Sequence, residues 1–87
     1  MRNVILTRQA LDDLKYWSRI DVKLLAKIFD LIESVLRDPF QGIGKPEALK
    51  GNLKGLWSRR INDEHRLVYS VSDTSITVVS YRSHYRI

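Results

Sequence analysis

The chain has 87 residues, 44% of them apolar and 29% charged, which is enough for one modest core and too apolar for disorder. It has no cysteine, which excludes disulfides and thiol catalysis and fits a reducing compartment. The formal net charge is +5, and neither a membrane-length apolar run nor a secretory signal is present, so the expectation is one cytoplasmic domain over 1–87 with no membrane partner.

Arg2–Leu6 (RNVIL) is a β-branched apolar run and predicts a strand, at an edge or in the middle of a sheet. Thr7 is a candidate N-cap. Ala10, Leu11, Leu14 and Trp17 follow at helical spacing and predict an amphipathic helix to about Arg19, with Asp12, Asp13 and Lys15 outside the apolar stripe. Asp21 starts a second helix, with a stripe of Leu24, Leu25, Ile28, Leu31, Ile32, Val35 and Leu36. Asp38-Pro39 ends it, because proline pushes the residue before it out of the helical region. The short connection predicts an antiparallel helix pair.

Residues 40–55 hold all four glycines and the second proline. They predict a long ordered loop with one helical turn at Glu47–Lys50, pinned by Phe40, Ile43, Leu49 and Leu53. Trp57–Ile61 and Glu64–Val71 predict a hairpin through Asn62-Asp63. Leu67, Tyr69 and Val71, with Trp57 and Ile61, are expected to pack on the helices, and Arg66, Val68 and Ser70 to share the other face. After a turn at Ser72–Thr74, Ser75–Ser83 predicts the last strand, with Thr77, Val79 and Tyr81 opposing Ile76, Val78 and Ser80.

Residues 1–44 carry seven Lys/Arg against six Asp/Glu, and residues 45–87 eight against four, so the C-terminal half is the basic one. A basic face draws polyanions by counterion release. Gly42-Ile43-Gly44-Lys45 matches part of a phosphate-binding loop, but Pro39 and Pro46 occupy positions that need glycine and Ser/Thr, which excludes that motif. Only His65 and His84 are candidate nitrogen ligands, and no helix pairs them with a carboxylate, so no metal or other cofactor is expected. RNA cleavage needs neither. A base takes the 2′-hydroxyl proton, a cation stabilises the phosphorane, and an acid protonates the leaving 5′-oxygen. The basic half offers Glu47 or Glu64 as base, Arg66 or Lys50 as cation, and His84 or Tyr85 as acid. Either Arg59 or Arg60 is a candidate interior partner, because adjacent strand residues take opposite faces.

The combination of GKPEALKGNLKGLWSRRINDEHRLVYSV with a terminal SHY, and Tyr16-Trp17 in the first helix, resembles the YoeB-type toxins of the RelE superfamily, from about Asn3 to Tyr85. These are ribosome-dependent endoribonucleases encoded beside an antitoxin. The resemblance implies an α+β fold, with two N-terminal helices packed on a mainly antiparallel four-stranded sheet and a site on the concave side. It implies that Glu47 is the general base, that Arg66 stabilises the phosphate, and that His84 and Tyr85 supply the acid and position the substrate. Lys45, Lys50, Arg59 and Arg60 would hold RNA backbone, and Glu64 would orient Arg66 or a nearby histidine. Two features depart from the family pattern: Ser83 stands where an aromatic is frequent, and Arg86-Ile87 extend past the tyrosine.

The implied partners are the 70S ribosome with its messenger RNA and a YefM-like antitoxin whose acidic, disordered segment covers the basic site. Operator DNA would be bound through the antitoxin, and the resemblance also allows a homodimer. The competing reading is a non-nuclease of the same fold that inhibits DNA gyrase, as ParE-type toxins do, because fold alone does not set function. A third is an RNA-binding module with a silent site.

Overall fold

The computed structural model describes residues 2–81. Its elements are β1 (Asn3–Leu6), α1 (Arg8–Ile20), α2 (Val22–Arg37), β2 (Glu47–Ala48), a single 3₁₀ turn at Gly51–Leu53, β3 (Trp57–Arg60), β4 (Arg66–Val71) and β5 (Ser75–Ser80). The strands form one sheet in the order β1-β5-β4-β3-β2, antiparallel except for the β1/β5 pair. The sheet therefore has five strands rather than four. The additional one is β2, where a helical turn was expected. Its backbone groups instead meet the free edge of β3, with Glu47 opposite Ser58 and Ala48 opposite Trp57. β1 lies at the other edge, so both ends of the sheet are short strands.

Local chemistry sets the helix ends. Thr7 caps α1 by accepting the Ala10 N–H at 3.1 Å, and its hydroxyl also donates to the Val79 carbonyl at 2.8 Å, which ties the helix start to β5. Asp21 serves both helices. Its N–H donates to the Trp17 carbonyl and its carboxylate accepts the Leu24 N–H at 3.0 Å, so one residue stops α1 and starts α2. α2 ends at Asp38, before Pro39.

Both helices cover the same face of the sheet. Ala10, Trp17, Leu24, Ile28, Leu31 and Val35 pack with Ile61, Leu67, Tyr69, Ile76, Val78 and Tyr81, and Trp57 and Val71 border this core. Leu11 is 42% exposed and stands outside it, whereas Asp13 is buried within it. The Asp13 carboxylate accepts the Tyr81 N–H at 2.9 Å and the Gln9 side-chain amide at 2.8 Å, which supplies partners for a charge that burial would otherwise penalise. The described part of the last strand also departs from simple alternation. A register shift between Val68 and Tyr69 sets Val68 opposite Ser80 while Tyr69 stays opposite Val78, so one extra residue is inserted in β5. The bulge reverses the parity, and Tyr81 joins Ile76 and Val78 in the core while Ser80 turns to the other face.

Burial raises the Tyr81 phenol above its ordinary value of 10.0, and the nearby Asp13 charge adds to the shift. A phenol raised on folding contributes stability that is complete below the unfolded value and is lost as pH climbs through the folded one. Among the described residues its hydroxyl has no hydrogen-bond partner. Tyr81→Phe is therefore expected to change unfolding free energy at pH 7 by less than about 1 kcal/mol. It should also reduce the loss of stability above about pH 10, as measured by denaturant titrations from pH 7 to 11.

Candidate active site

The face turned away from the helices is organised by strand register. Glu47, Ser58, Val68 and Ser80 follow one another across β2, β3, β4 and β5, and Arg60 stands opposite Arg66 two residues further along. From strand spacing and rise, the Glu47 Cα lies about 8 Å from that of Arg60 and about 12 Å from that of Arg66. Side chains of this length span such gaps with a phosphodiester between them. Ser58, Val68 and Ser80 are buried, while Glu47 and Arg60 are exposed and Arg66 is half-buried.

The Arg60–Arg66 pair sets two cations side by side across a ladder, an arrangement that is destabilising by itself. Among the described residues neither forms an ion pair. Arg66 is aimed by backbone instead, its Nη1 donating to the Asn62 carbonyl at 2.7 Å and the His65 carbonyl at 3.1 Å. The turn that carries those carbonyls is shaped by Asn62, whose side-chain oxygen accepts the Glu64 and His65 N–H groups at 2.9 and 2.7 Å. Glu64 lies beside His65, at 3.6 Å from Oε1 to Nε2, and of its two expected partners it is the histidine that it meets. The His65 ring stands edge-on to Trp17, with centroids 4.9 Å apart.

Lys45, Glu47 and Lys50 are exposed along the β2 edge. Glu47 and Lys50 share an open depression of about 270 Å³ with Ala48, Leu49 and Leu53. A larger groove of about 460 Å³ lies on α1, lined by Asp12, Lys15, Tyr16, Arg19 and Ile20, and contains none of the expected catalytic residues. His84 and Tyr85, with Ser83, Arg86 and Ile87, lie outside the described residues. Among the described residues no three His, Asp or Glu side chains cluster as metal ligands, and no helix is long and apolar enough to cross a membrane.

Arg59 requires a correction. It was expected to hold RNA backbone, yet it is fully buried on the helix side of β3, opposite Leu67. Its Nε donates to Tyr69 Oη at 3.2 Å. Nη1 donates to Ser34 Oγ at 2.6 Å and the Ile43 carbonyl at 3.1 Å, and Nη2 to the carbonyls of Asp38 at 2.6 Å and Gln41 at 3.0 Å. All five guanidinium N–H donors are thereby used, and none remains for a ligand. Tyr69 Oη passes the chain on to the Pro39 carbonyl at 2.6 Å. Burial pushes the Tyr69 phenol up, against the opposing pull of the Arg59 hydrogen bond and charge, which keeps it a donor. Of the residues expected to pin this loop, Ile43 is 51% exposed, whereas Phe40 packs its ring on Trp57 with centroids 4.9 Å apart and Leu49 is buried, and the polar hub adds to that hold.

The two arginines of β3 should separate in a stability measurement. Arg59→Met leaves three carbonyls and two hydroxyls facing an apolar chain and is expected to cost about 3–5 kcal/mol. Arg60→Met should stay within about 0.5 kcal/mol of the parent, both by urea unfolding.

Comparison with known proteins agrees with this architecture. The family model described as YoeB-like toxin of bacterial type II toxin-antitoxin system matches residues 6–85. Toxin YoeB of Escherichia coli K12 is 49% identical over 82 residues, covering 94% of this chain and 98% of the relative. The structure of a YoeB dimer from Staphylococcus aureus superposes with a TM-score of 0.90 at 48% identity, covering 97% of this chain and 98% of that one. A heterotetrameric YoeB–YefM toxin–antitoxin complex from the same organism gives 0.88 at 48% identity, over 98% and 99% of the two chains. A family match over nearly the whole length, carried by relatives that align end to end, makes this chain a member of the YoeB-like toxins of bacterial type II toxin–antitoxin systems.

Proposed function

We propose that this toxin is a metal-independent endoribonuclease that cuts messenger RNA in the ribosomal A site, and that it acts in the cytoplasm as one domain spanning 1–87. The reading is carried by one observation: Arg60 and Arg66 stand side by side, without an ion-pair partner among the described residues, on the face that also bears Glu47. Two adjacent cations are a cost in the free protein and an asset once a phosphate lies between them.

The chemistry runs through the substrate's own nucleophile. Glu47 accepts the proton of the ribose 2′-hydroxyl, whose oxygen attacks the adjacent phosphorus. Arg66, with Arg60 beside it, stabilises the charge on the equatorial oxygens. His84 donates a proton to the departing 5′-oxygen, and Tyr85 positions the substrate. The products are a 2′,3′-cyclic phosphate and a 5′-hydroxyl. Lys45 and Lys50 border Glu47 and attract the backbone of the incoming strand. Messenger RNA is single-stranded in the A site, so its bases are free to be splayed and stacked.

The partners follow from charge and family. The net charge of +5 suits an acidic antitoxin segment that folds over the site, and a YefM-like protein is the partner of the Staphylococcus aureus relative. We assign operator binding to the complex, with the antitoxin contacting DNA. The dimer formed by a Staphylococcus aureus relative supports self-association as well.

Incubation with programmed ribosomes tests the proposal. Cleavage at the A-site codon should persist in excess chelator, and a gyrase supercoiling assay should be unaffected. Arg66→Ala and Glu47→Ala are each expected to slow single-turnover cleavage by about 10²–10⁴-fold while ribosome affinity changes little. Cleavage at the parent rate by either variant would remove that residue from the mechanism.

A further inference from the structure

We propose that Arg59 is a positioning residue for Glu47, acting through the loop 38–46 that wraps around it. The inference rests on the reading of Glu47 as the general base.

The strand that presents Glu47 is too short to place itself. β2 has two residues at a sheet edge and only two register partners. Its position depends on what holds the chain before and after it. Downstream, the Leu49 N–H donates to the Leu56 carbonyl at 2.9 Å and the Leu49 side chain is buried. Upstream, besides the packing of the Phe40 ring on Trp57, the hold is the Arg59 guanidinium, which gathers the carbonyls of Asp38, Gln41 and Ile43 around itself. One residue later the Gly44 carbonyl accepts the Arg60 N–H at 2.6 Å, and three residues after that comes Glu47.

The fit around the guanidinium leaves no slack. A Cβ at Gly42 would collide with Ser34 Oγ and lie 2.9 Å from Arg59 Nη1. A Cβ at Gly44 would lie 2.7 Å from Leu31 Cδ2 and 3.1 Å from both Arg59 Cβ and the Arg60 carbonyl. Both residues also have positive φ, of 133° and 83°. The loop is thus drawn against β3 as far as sterics permit, and an added atom must push it outward.

β3 connects the two sides. It carries Arg59 on the core face, and on the opposite face Ser58, the register partner of Glu47, together with Arg60. The strand that clamps the loop is therefore also the strand that the base is measured against. A general base works only within hydrogen-bond reach of its proton, and a displacement of about 1 Å costs about 10²-fold in rate.

The test is a double-mutant cycle, made with Gly42→Ala and Tyr69→Phe in the parent and in Glu47→Ala. Tyr69→Phe keeps the ring and removes only the hydroxyl that links Arg59 to Pro39, so it carries the cycle alone if Gly42→Ala does not fold by thermal melting. Single-turnover cleavage is read on programmed ribosomes at increasing ribosome concentration. In the parent background each change should lower the saturating rate about tenfold and leave the half-saturating concentration within about twofold. In the Glu47→Ala background neither should lower it further, because a displaced base and an absent base are the same loss. Equal fold-losses in both backgrounds, or an unchanged rate in the parent background, would overturn the inference. If Glu47→Ala itself cuts at the parent rate, it is the assignment of the base that fails.

Discussion

A buried cation without a carboxylate is the constraint around which this molecule is arranged. Moving a guanidinium out of water is costly unless every donor is met, and Arg59 meets the cost with three carbonyls and two hydroxyls. Two of those acceptors, Ser34 Oγ and the Asp38 carbonyl, belong to the C-terminal end of α2, where the helix dipole favours positive charge. The arrangement therefore joins the second helix, the long loop and the middle of the sheet through one side chain. It explains why the loop is glycine-rich. Gly42 and Gly44 bring backbone, rather than a ligand's phosphate, against the arginine.

The two faces of β3 and β4 divide the labour. On one face Leu67, Tyr69 and Ile61 close the core under the helices. On the other, Arg60 and Arg66 are kept adjacent at a cost, and Arg66 is directed by carbonyls of the turn before it. Using backbone to aim an arginine, with no carboxylate paired to it among the described residues, leaves its charge available to a ligand. That suits a family of toxins whose partner is an antitoxin, because the charge that would serve RNA also invites an acidic inhibitor.

Much of this was legible in the residues themselves. The Thr7 cap, the Asp21 junction, the stop at Asp38 and the α2 stripe each follow from one local rule and each holds, and the α1 stripe holds at Ala10, Leu14 and Trp17 but not at Leu11. Where tertiary structure decides, the local rules miss. The turn expected at Glu47–Lys50 is a strand because the edge of β3 was free to take it. Asp13 reads as a solvated carboxylate, and is buried because the backbone leaving β5 needs an acceptor there. The bulge at the end of β5 could not be read from alternation, since it is what breaks the alternation. Arg59 is the instructive case. Its parity matches Trp57 and Ile61, which were assigned to the core face, and that parity alone distinguishes it from Arg60. The Glu47, Arg60 and Arg66 constellation became visible as one face only through the register, and the histidine and tyrosine of the tail lie beyond the described residues.

The parallel pairing of β1 with β5 joins parts of the chain 72 residues apart, as the Thr7–Val79 hydrogen bond shows. A ribosome making this protein extrudes the first strand long before its neighbour exists. The sheet cannot be completed on a nascent chain until β5 has followed β1 out of the exit tunnel. Translation thus withholds the finished sheet until both strands have been made, and a message interrupted before β5 yields a fragment with an unfilled sheet instead of an early poison.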